Sequence, residues 1–169
     1  MAAAIPAAPL RPLAPYENWR PPVIGVSLLV PVGSGSLLVP ETLGAIALPI
    51  DAVHHGETPW QAAQHVLFGA PHGIPVRRHV LVASKQMRRR KVITHVLATA
   101  RLSPETVASL TYRDPRAELR IMPTDRVIER LHPEGRLRVL LALQSLAFAG
   151  TANVEDGPVR DNPPSCRGQ

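Results

Sequence analysis

Apolar residues run almost unbroken from Val23 to Val30, stop at Gly33-Ser34-Gly35, and resume at Leu37-Leu38-Val39. A short apolar run bounded by turn residues predicts a strand, so this segment reads as two strands joined by a turn. Pro40 then predicts an edge or a strand end, because proline has no donor for a ladder. Val76 to Ala83 and Val92 to Ala98 have strand composition, and Ser84 to Arg90 is a polar, basic connection between them. Together they predict a hairpin. Ala117-Glu118-Leu119-Arg120-Ile121-Met122 alternates polar and apolar groups, which predicts a half-buried strand.

Helix signals punctuate this pattern. Thr58-Pro59-Trp60-Gln61 places a capping threonine before a proline at the first helical position, with a glutamine two residues after that proline. This is the signature of a reciprocal cap. The helix is predicted to run to Phe68 or Gly69, where Gly69 and Pro71 end it. Ser103 to Ala108 predicts a short turn or helical piece. Pro123-Thr124-Asp125 opens a short helix through Leu131, and Pro133 opens a longer one through Phe148. Leu137, Leu140, Leu141 and Leu143 give that last helix an apolar side, which is expected to pack on the sheet. The order of strands, helix, strands and helices predicts an α+β fold, an α/β/α sandwich-like mixed sheet flanked by helices.

Composition sets the outer limits. The chain has 169 residues, 45% hydrophobic but only 4% aromatic, so the core is aliphatic. One domain over residues 21–150 is expected, with an Ala/Pro-rich flexible arm at 1–20 and a disordered polar tail at 151–169. The opening residues lack a basic region followed by an apolar core, so no signal peptide is read. No apolar run is long enough for a membrane span. The single cysteine, Cys166, gives neither a disulfide framework nor a thiolate metal site, and a cytoplasmic location is expected.

Charge changes the picture more. The net charge is +6, and no Asp or Glu occurs between Thr58 and Pro104, a window that holds Arg77, Arg78, Lys85, Arg88, Arg89, Arg90, Lys91 and Arg101. Such a field attracts phosphorylated small molecules or nucleic acid. Arg88-Arg89-Arg90-Lys91 is a candidate phosphate-binding run, since guanidinium groups pair well with phosphate oxygens. A solvated hairpin tip is the alternative.

The stretch Leu48-Pro49, Gly56-Glu57-Thr58-Pro59 and Ala62-Ala63 resembles the box of the Nudix hydrolase family. In that family a loop–helix–loop binds divalent metal, the metal binds a diphosphate linked to another moiety, and water attacks one phosphorus. Val23 to Leu48 is similar to the family's opening hairpin, and Glu118 to Asp125 to its late strand and short helix. The resemblance spans residues 21–150 and implies a Nudix-like fold, with a homodimer as a common assembly.

Position by position, the box is degenerate. Asp51 stands where its first glycine belongs, and Glu57 matches its first glutamate. His65 replaces the arginine, Val66 replaces the adjoining metal-binding glutamate, and Leu67 keeps the aliphatic position. Gly69 and Ala70 replace the paired glutamates; His72 stands at the closing glycine, with Gly73 one position late. Mg²⁺ needs a near-octahedral set of oxygen ligands, and these replacements supply none. Mg²⁺ is therefore not expected, no metal ligand is assigned, and no cofactor is expected.

Asp51, His54, Glu57 and His65 remain as candidate catalytic groups, because histidine beside a carboxylate suits proton transfer near neutral pH. His65 with Glu57 also reads as an echo of the family's arginine–glutamate tie across the loop. Two histidines and a carboxylate holding zinc is a further alternative. His55 and Trp60 join the basic run as candidate ligand-binding residues, Trp60 either by stacking on a ring or by covering the fold. A protein that binds a nucleotide-like or other phosphorylated small molecule without Mg²⁺-dependent pyrophosphohydrolysis, an atypical biosynthetic enzyme or hydrolase in the altered pocket, and a basic nucleic-acid-binding or structural protein are the three expectations.

Overall fold

The computed structural model describes residues 20–155. The arm and tail expectations for 1–19 and 156–169 fall outside the described residues. In chain order the elements are β1 (Val23–Leu29), β2 (Pro31–Val32), β3 (Ser36–Thr42), β4 (Ala45–Ile46) and β5 (Ile50–Ala52), then α1 (Pro59–Ala63) and β6 (Leu67–Phe68). They continue with β7 (Val76–Gln86), β8 (Lys91–Thr99), α2 (Pro104–Ala108), β9 (Thr111–Tyr112) and β10 (Glu118–Pro123). The described residues end with α3 (Thr124–Arg130), α4 (Pro133–Ala147) and β11 (Ala152–Glu155).

A five-stranded mixed sheet runs in the order β11-β7-β8-β1-β5. β1 lies parallel to β8 and antiparallel to β5, and β7 and β8 form the expected hairpin. β3 pairs with β10, β2 and β4 in a second, antiparallel sheet. Each face of the main sheet buries its own aliphatic cluster. Val26, Leu28 and Leu97 meet Ala62, Ala63 and Val66 on one face. Leu29, Val96 and Leu81 meet Val127, Val139 and Ala142 on the other. Helices on both faces of a mixed sheet are the predicted α+β architecture.

Four expectations are corrected. β7 runs on to Gln86, so the hairpin connection is 87–90 and not Ser84 to Arg90. β3 continues two residues past Pro40, whose carbonyl accepts from Ala47 beside the short β4, while Leu119 stands opposite on β10. On α4, Leu137 and Leu140 are 46% and 44% exposed, and the buried residues are Val139, Ala142 and Ser145. Small residues on the inner side let the helix approach β7, with Leu141, Leu143 and Leu146 flanking the contact. Finally, the chain stays ordered beyond Gly150. Ala152–Glu155 adds to the sheet as a parallel neighbour of β7, in register from Ala152 opposite Leu81 to Glu155 opposite Ser84.

A side-chain staple precedes that last strand. Arg78 donates to the carbonyls of Ser145 at 3.2 Å and Gly150 at 2.6 Å, and the Ser145 carbonyl also accepts from Gly150 N–H at 3.1 Å, which ties the end of α4 to the turn after it.

Candidate functional site

The reciprocal cap of α1 forms as the sequence predicts. Gln61 N–H donates to Thr58 Oγ1 at 3.3 Å, and Thr58 N–H donates to Gln61 Oε1 at 2.8 Å. The helix itself is far shorter than expected. It ends at Ala63, and the next amides reach back only three residues, from Gln64 to Gln61 and from His65 to Ala62. Leu67 and Phe68 then pair as a strand with Tyr112 and Thr111. Two causes are visible. The Gln64 amide binds both the N–H and the carbonyl of Ile74, each at 3.1 Å, which pulls the returning chain onto the helix end. Gly69 has φ 98°, and a Cβ there would sit 2.2 Å from the Ser109 carbonyl oxygen, so the backbone passes where only glycine fits.

The second half of the box has therefore lost its helix as well as its carboxylates. Val66 is fully buried in the core cluster under α1. Gly73, not His72, takes the left-handed conformation expected of a closing glycine, with φ 73°.

The loop before α1 is tied by Glu57. Its Oε2 accepts from His54 N–H at 3.0 Å, and its own N–H donates to the His54 carbonyl at 3.0 Å. Glu57 Oε1 lies 3.6 Å from His65 Nε2, with side-chain exposures of 16% and 63%. The structure thus brings Glu57, His54 and His65 together, in the manner of a loop tie. His54 takes part through its backbone. His55 and His72 are exposed, and Trp60 is 43% exposed on α1.

Asp51 is held apart from this group by a partner 62 residues away. Its side chain, 8% exposed, forms an ion pair with Arg113, and Oδ1 also accepts from Ala52 N–H at 2.6 Å. Tyr112 Oη brackets the preceding residue, donating to Ile50 O at 3.0 Å and accepting from Ile50 N–H at 3.3 Å. Asp114 and Arg116 pair by two parallel hydrogen bonds of 3.0 Å. Arg116 holds the Asp114 carboxyl below its ordinary pKa by that hydrogen bonding. The Tyr112-Arg113-Asp114-Pro115-Arg116 loop was absent from the predicted site, since nothing local marks it as the partner of β5.

These groups border a cavity of about 650 Å³. Its apolar wall is Val23, Ile24, Ile50 and Val92, and its rim is Asp51 with the Tyr112–Arg116 loop. A smaller cavity of about 160 Å³ adjoins it, sharing Ile50 and Thr94 and reaching His132 and Arg138 at the start of α4. The basic run lies at the same end of the sheet, because Val92 follows Arg90 by two residues and pairs with Val23. Lys91 is engaged with Glu155 at 3.3 Å. Arg88, Arg89 and Arg90 form no ion pair among the described residues. Among those residues no group of three or more His, Cys, Asp or Glu is placed to hold a metal ion. No described helix is long and apolar enough to cross a membrane.

Against known proteins, the likeness is one of fold. No family model and no curated protein sequence matches the chain. Solved structures do. MutT protein from Methanosarcina mazei Go1 superposes with a TM-score of 0.59 at 14% identity, over 77% of this chain and 96% of that one. A Nudix hydrolase from Nitrosomonas europaea gives 0.58 at 12% identity, over 82% and 81%. A C. elegans Ap4A hydrolase in a binary complex gives 0.58 at 13%, over 75% and 97%. This chain has the Nudix fold. Its box is a degenerate one, with Val66, Gly69 and Ala70 where the pattern calls for glutamates.

Proposed function

We propose that this Nudix-fold chain binds a phosphorylated, nucleotide-like small molecule in the 650 Å³ cavity, without ordinary Mg²⁺-dependent pyrophosphohydrolysis. The observation that carries the reading is the pairing of that cavity with Arg88, Arg89 and Arg90, which form no ion pair among the described residues, at one end of the sheet. An apolar wall with a few polar groups on its rim is the usual build of a small-molecule site. The Ile50–Tyr112 bracket and the Asp51–Arg113 pair hold the rim in shape. One structural neighbour is named for a nucleotide substrate, Ap4A, which agrees with the class of ligand proposed.

In this reading arginine takes over the charge-neutralising part of the missing metal, for binding and not for turnover. Asp51 and Glu57 are committed to Arg113 and to the loop tie, so they position the cavity wall and the loop. Association as a homodimer and a cytoplasmic setting remain part of the proposal.

Calorimetry with ADP, ATP and inorganic pyrophosphate, each with and without Mg²⁺, tests it. Binding that does not need Mg²⁺ is expected, and the Arg88→Ala/Arg89→Ala/Arg90→Ala variant is expected to weaken it at least about tenfold, since one charge-assisted hydrogen bond is worth about 1.5–3 kcal/mol. No binding of any of the three, or undiminished binding by the triple variant, refutes the reading. Tight binding of an oligonucleotide with a steep salt dependence, and none of nucleotides, would move the function to nucleic acid.

A further inference from the structure

The main sheet holds a second set of chemically suited side chains, away from the cavity and outside the box. His79 on β7 pairs with Leu97, and His95 on β8 pairs with Val26. Leu97 and Val26 both belong to the cluster under α1, so both histidines lie on that face of the sheet. Each is half-buried. His95 Nδ1 lies 3.2 Å from His79 Nε2, with ring centroids 5.0 Å apart and planes inclined by 37°.

A bulge creates this approach. Between His79 and Leu81, β7 spends two residues against one on β8, as the register passes from His79 opposite Leu97 to Leu81 opposite Val96. Bulges bend a strand and re-aim its side chains. Here Val80 and Leu81 are both buried in the opposite cluster, and His79 is turned toward His95. The strand is pinned at that point, because Thr151 Oγ1 donates to the His79 carbonyl at 2.8 Å.

The protonation pattern follows from the contacts. The His79 ring hydrogen-bonds the Leu81 backbone, and its Nε2 faces His95. Burial lowers the pKa of both rings, and the neighbouring His79 lowers that of His95 further. The neutral imidazole is the form that ligates a metal.

We infer that His79 Nε2 and His95 Nδ1 form a two-histidine site for a borderline transition ion such as Zn²⁺, Ni²⁺ or Cu²⁺. Two nitrogens bound to tetrahedral zinc at about 2.0–2.1 Å stand about 3.3–3.4 Å apart. The observed 3.2 Å matches that edge with little movement. With each ring neutral and its one N–H on the nitrogen that does not face the partner, His79 Nε2 and His95 Nδ1 both present lone pairs, and the ion takes the place of the hydrogen otherwise shared between them. No third described His, Cys, Asp or Glu completes the set, so water or an added anion fills the remaining positions. Imidazole nitrogen favours Cu²⁺ over Zn²⁺ and gives nothing to Mg²⁺. The site is independent of the proposed nucleotide cavity, which lies between β5 and the Tyr112–Arg116 loop.

Calorimetric titration of the whole chain with Zn²⁺ at about pH 7.5, where free histidine is neutral, tests the inference. One zinc per chain is expected, with no response to Mg²⁺. His79→Ala and His95→Ala should each weaken zinc at least about tenfold, and the His54→Ala/His55→Ala variant by less than about twofold. Near-ultraviolet circular dichroism checks that each variant keeps its fold. On the wild-type chain, the histidine ring nitrogen resonances of His79 and His95 should shift on zinc addition, ahead of those of the exposed histidines. Absence of zinc binding, equal loss in the His54/His55 variant, or unshifted His79 and His95 signals at saturating zinc overturns the site.

Discussion

Refilling the box with its missing carboxylates should fail, and the structure says by how much. The perturbation is the triple variant Val66→Glu/Gly69→Glu/Ala70→Glu, which writes the family's metal ligands back into this sequence. Val66 is fully buried among aliphatic side chains, with no polar partner in its cluster. A carboxyl placed there is driven to its neutral form. Holding it neutral at pH 7 costs about 3.7 kcal/mol, from a reference pKa of about 4.3 at about 1.36 kcal/mol per unit. The longer side chain adds about 1–3 kcal/mol of overpacking. At position 69 a Cβ would fall 2.2 Å from the Ser109 carbonyl oxygen at a φ of 98°, so β6 must leave β9. The total approaches the whole stability of a domain, about 5–15 kcal/mol. Urea denaturation followed by circular dichroism at pH 7 should show a midpoint far below wild type, or no folded baseline. The sign with pH is fixed: the introduced carboxyl has a raised folded pKa, so the Val66→Glu part of the deficit shrinks below about pH 4, where the unfolded chain is protonated too. A triple variant with a wild-type midpoint and Mg²⁺-dependent cleavage of a nucleoside diphosphate would refute this account of positions 66–70.

Two further outcomes follow from local geometry. Ala149, past the end of α4, has φ 54°, so Ala149→Gly should raise stability by about 0.5–1 kcal/mol, read as a higher urea midpoint; a lower midpoint would contradict the strain. Glu41 accepts from Arg130 Nη2 and from Arg120 Nε, each at 2.6 Å, joining β3, β10 and α3, and Arg130 above all holds its pKa below the ordinary value. A lowered carboxylate pKa stabilises above its unfolded value and loses that effect as pH falls through the folded one. Glu41→Gln should therefore lower the melting temperature at pH 7 and leave it unchanged in acid below the folded pKa, as scanning calorimetry across that range would show.

What the sequence made legible was local. The Thr58–Gln61 cap, the β7–β8 hairpin and the openings of α3 and α4 depend on neighbours within a few residues, and each formed. The end of α1 depended on the Gln64 side chain turning back to bind the Ile74 backbone, which no periodicity marks, and on Gly69 passing Ser109, 40 residues away. Leu67-Phe68 is also too short an apolar run for periodicity to separate helix from strand. Leucine count misjudged α4, because close approach to β7 favoured Val139, Ala142 and Ser145 on the inner side. In the candidate site, the Glu57–His65 tie was readable from the family pattern, but the Asp51–Arg113 pair and the His79–His95 contact were not. One spans 62 residues, and the other exists because of a bulge. The strand Ala152–Glu155 does alternate, with Ala152 and Val154 toward the core, yet the polar composition around it masked four residues of pattern.

The parallel seating of β11 on β7 also sets a timetable for synthesis. Leu81 waits for Ala152, so the outer edge of β7 stays open while roughly seventy more residues are made. At about 5–20 residues per second, that is about 4–14 s during which a row of unpaired backbone donors and acceptors faces solvent or a chaperone. Arg77 and Lys85, near the two ends of β7, place charge on that edge while it is bare and discourage another nascent strand from pairing there. Once made, Ala152–Glu155 covers the β7 edge and becomes the edge strand of the sheet in its place.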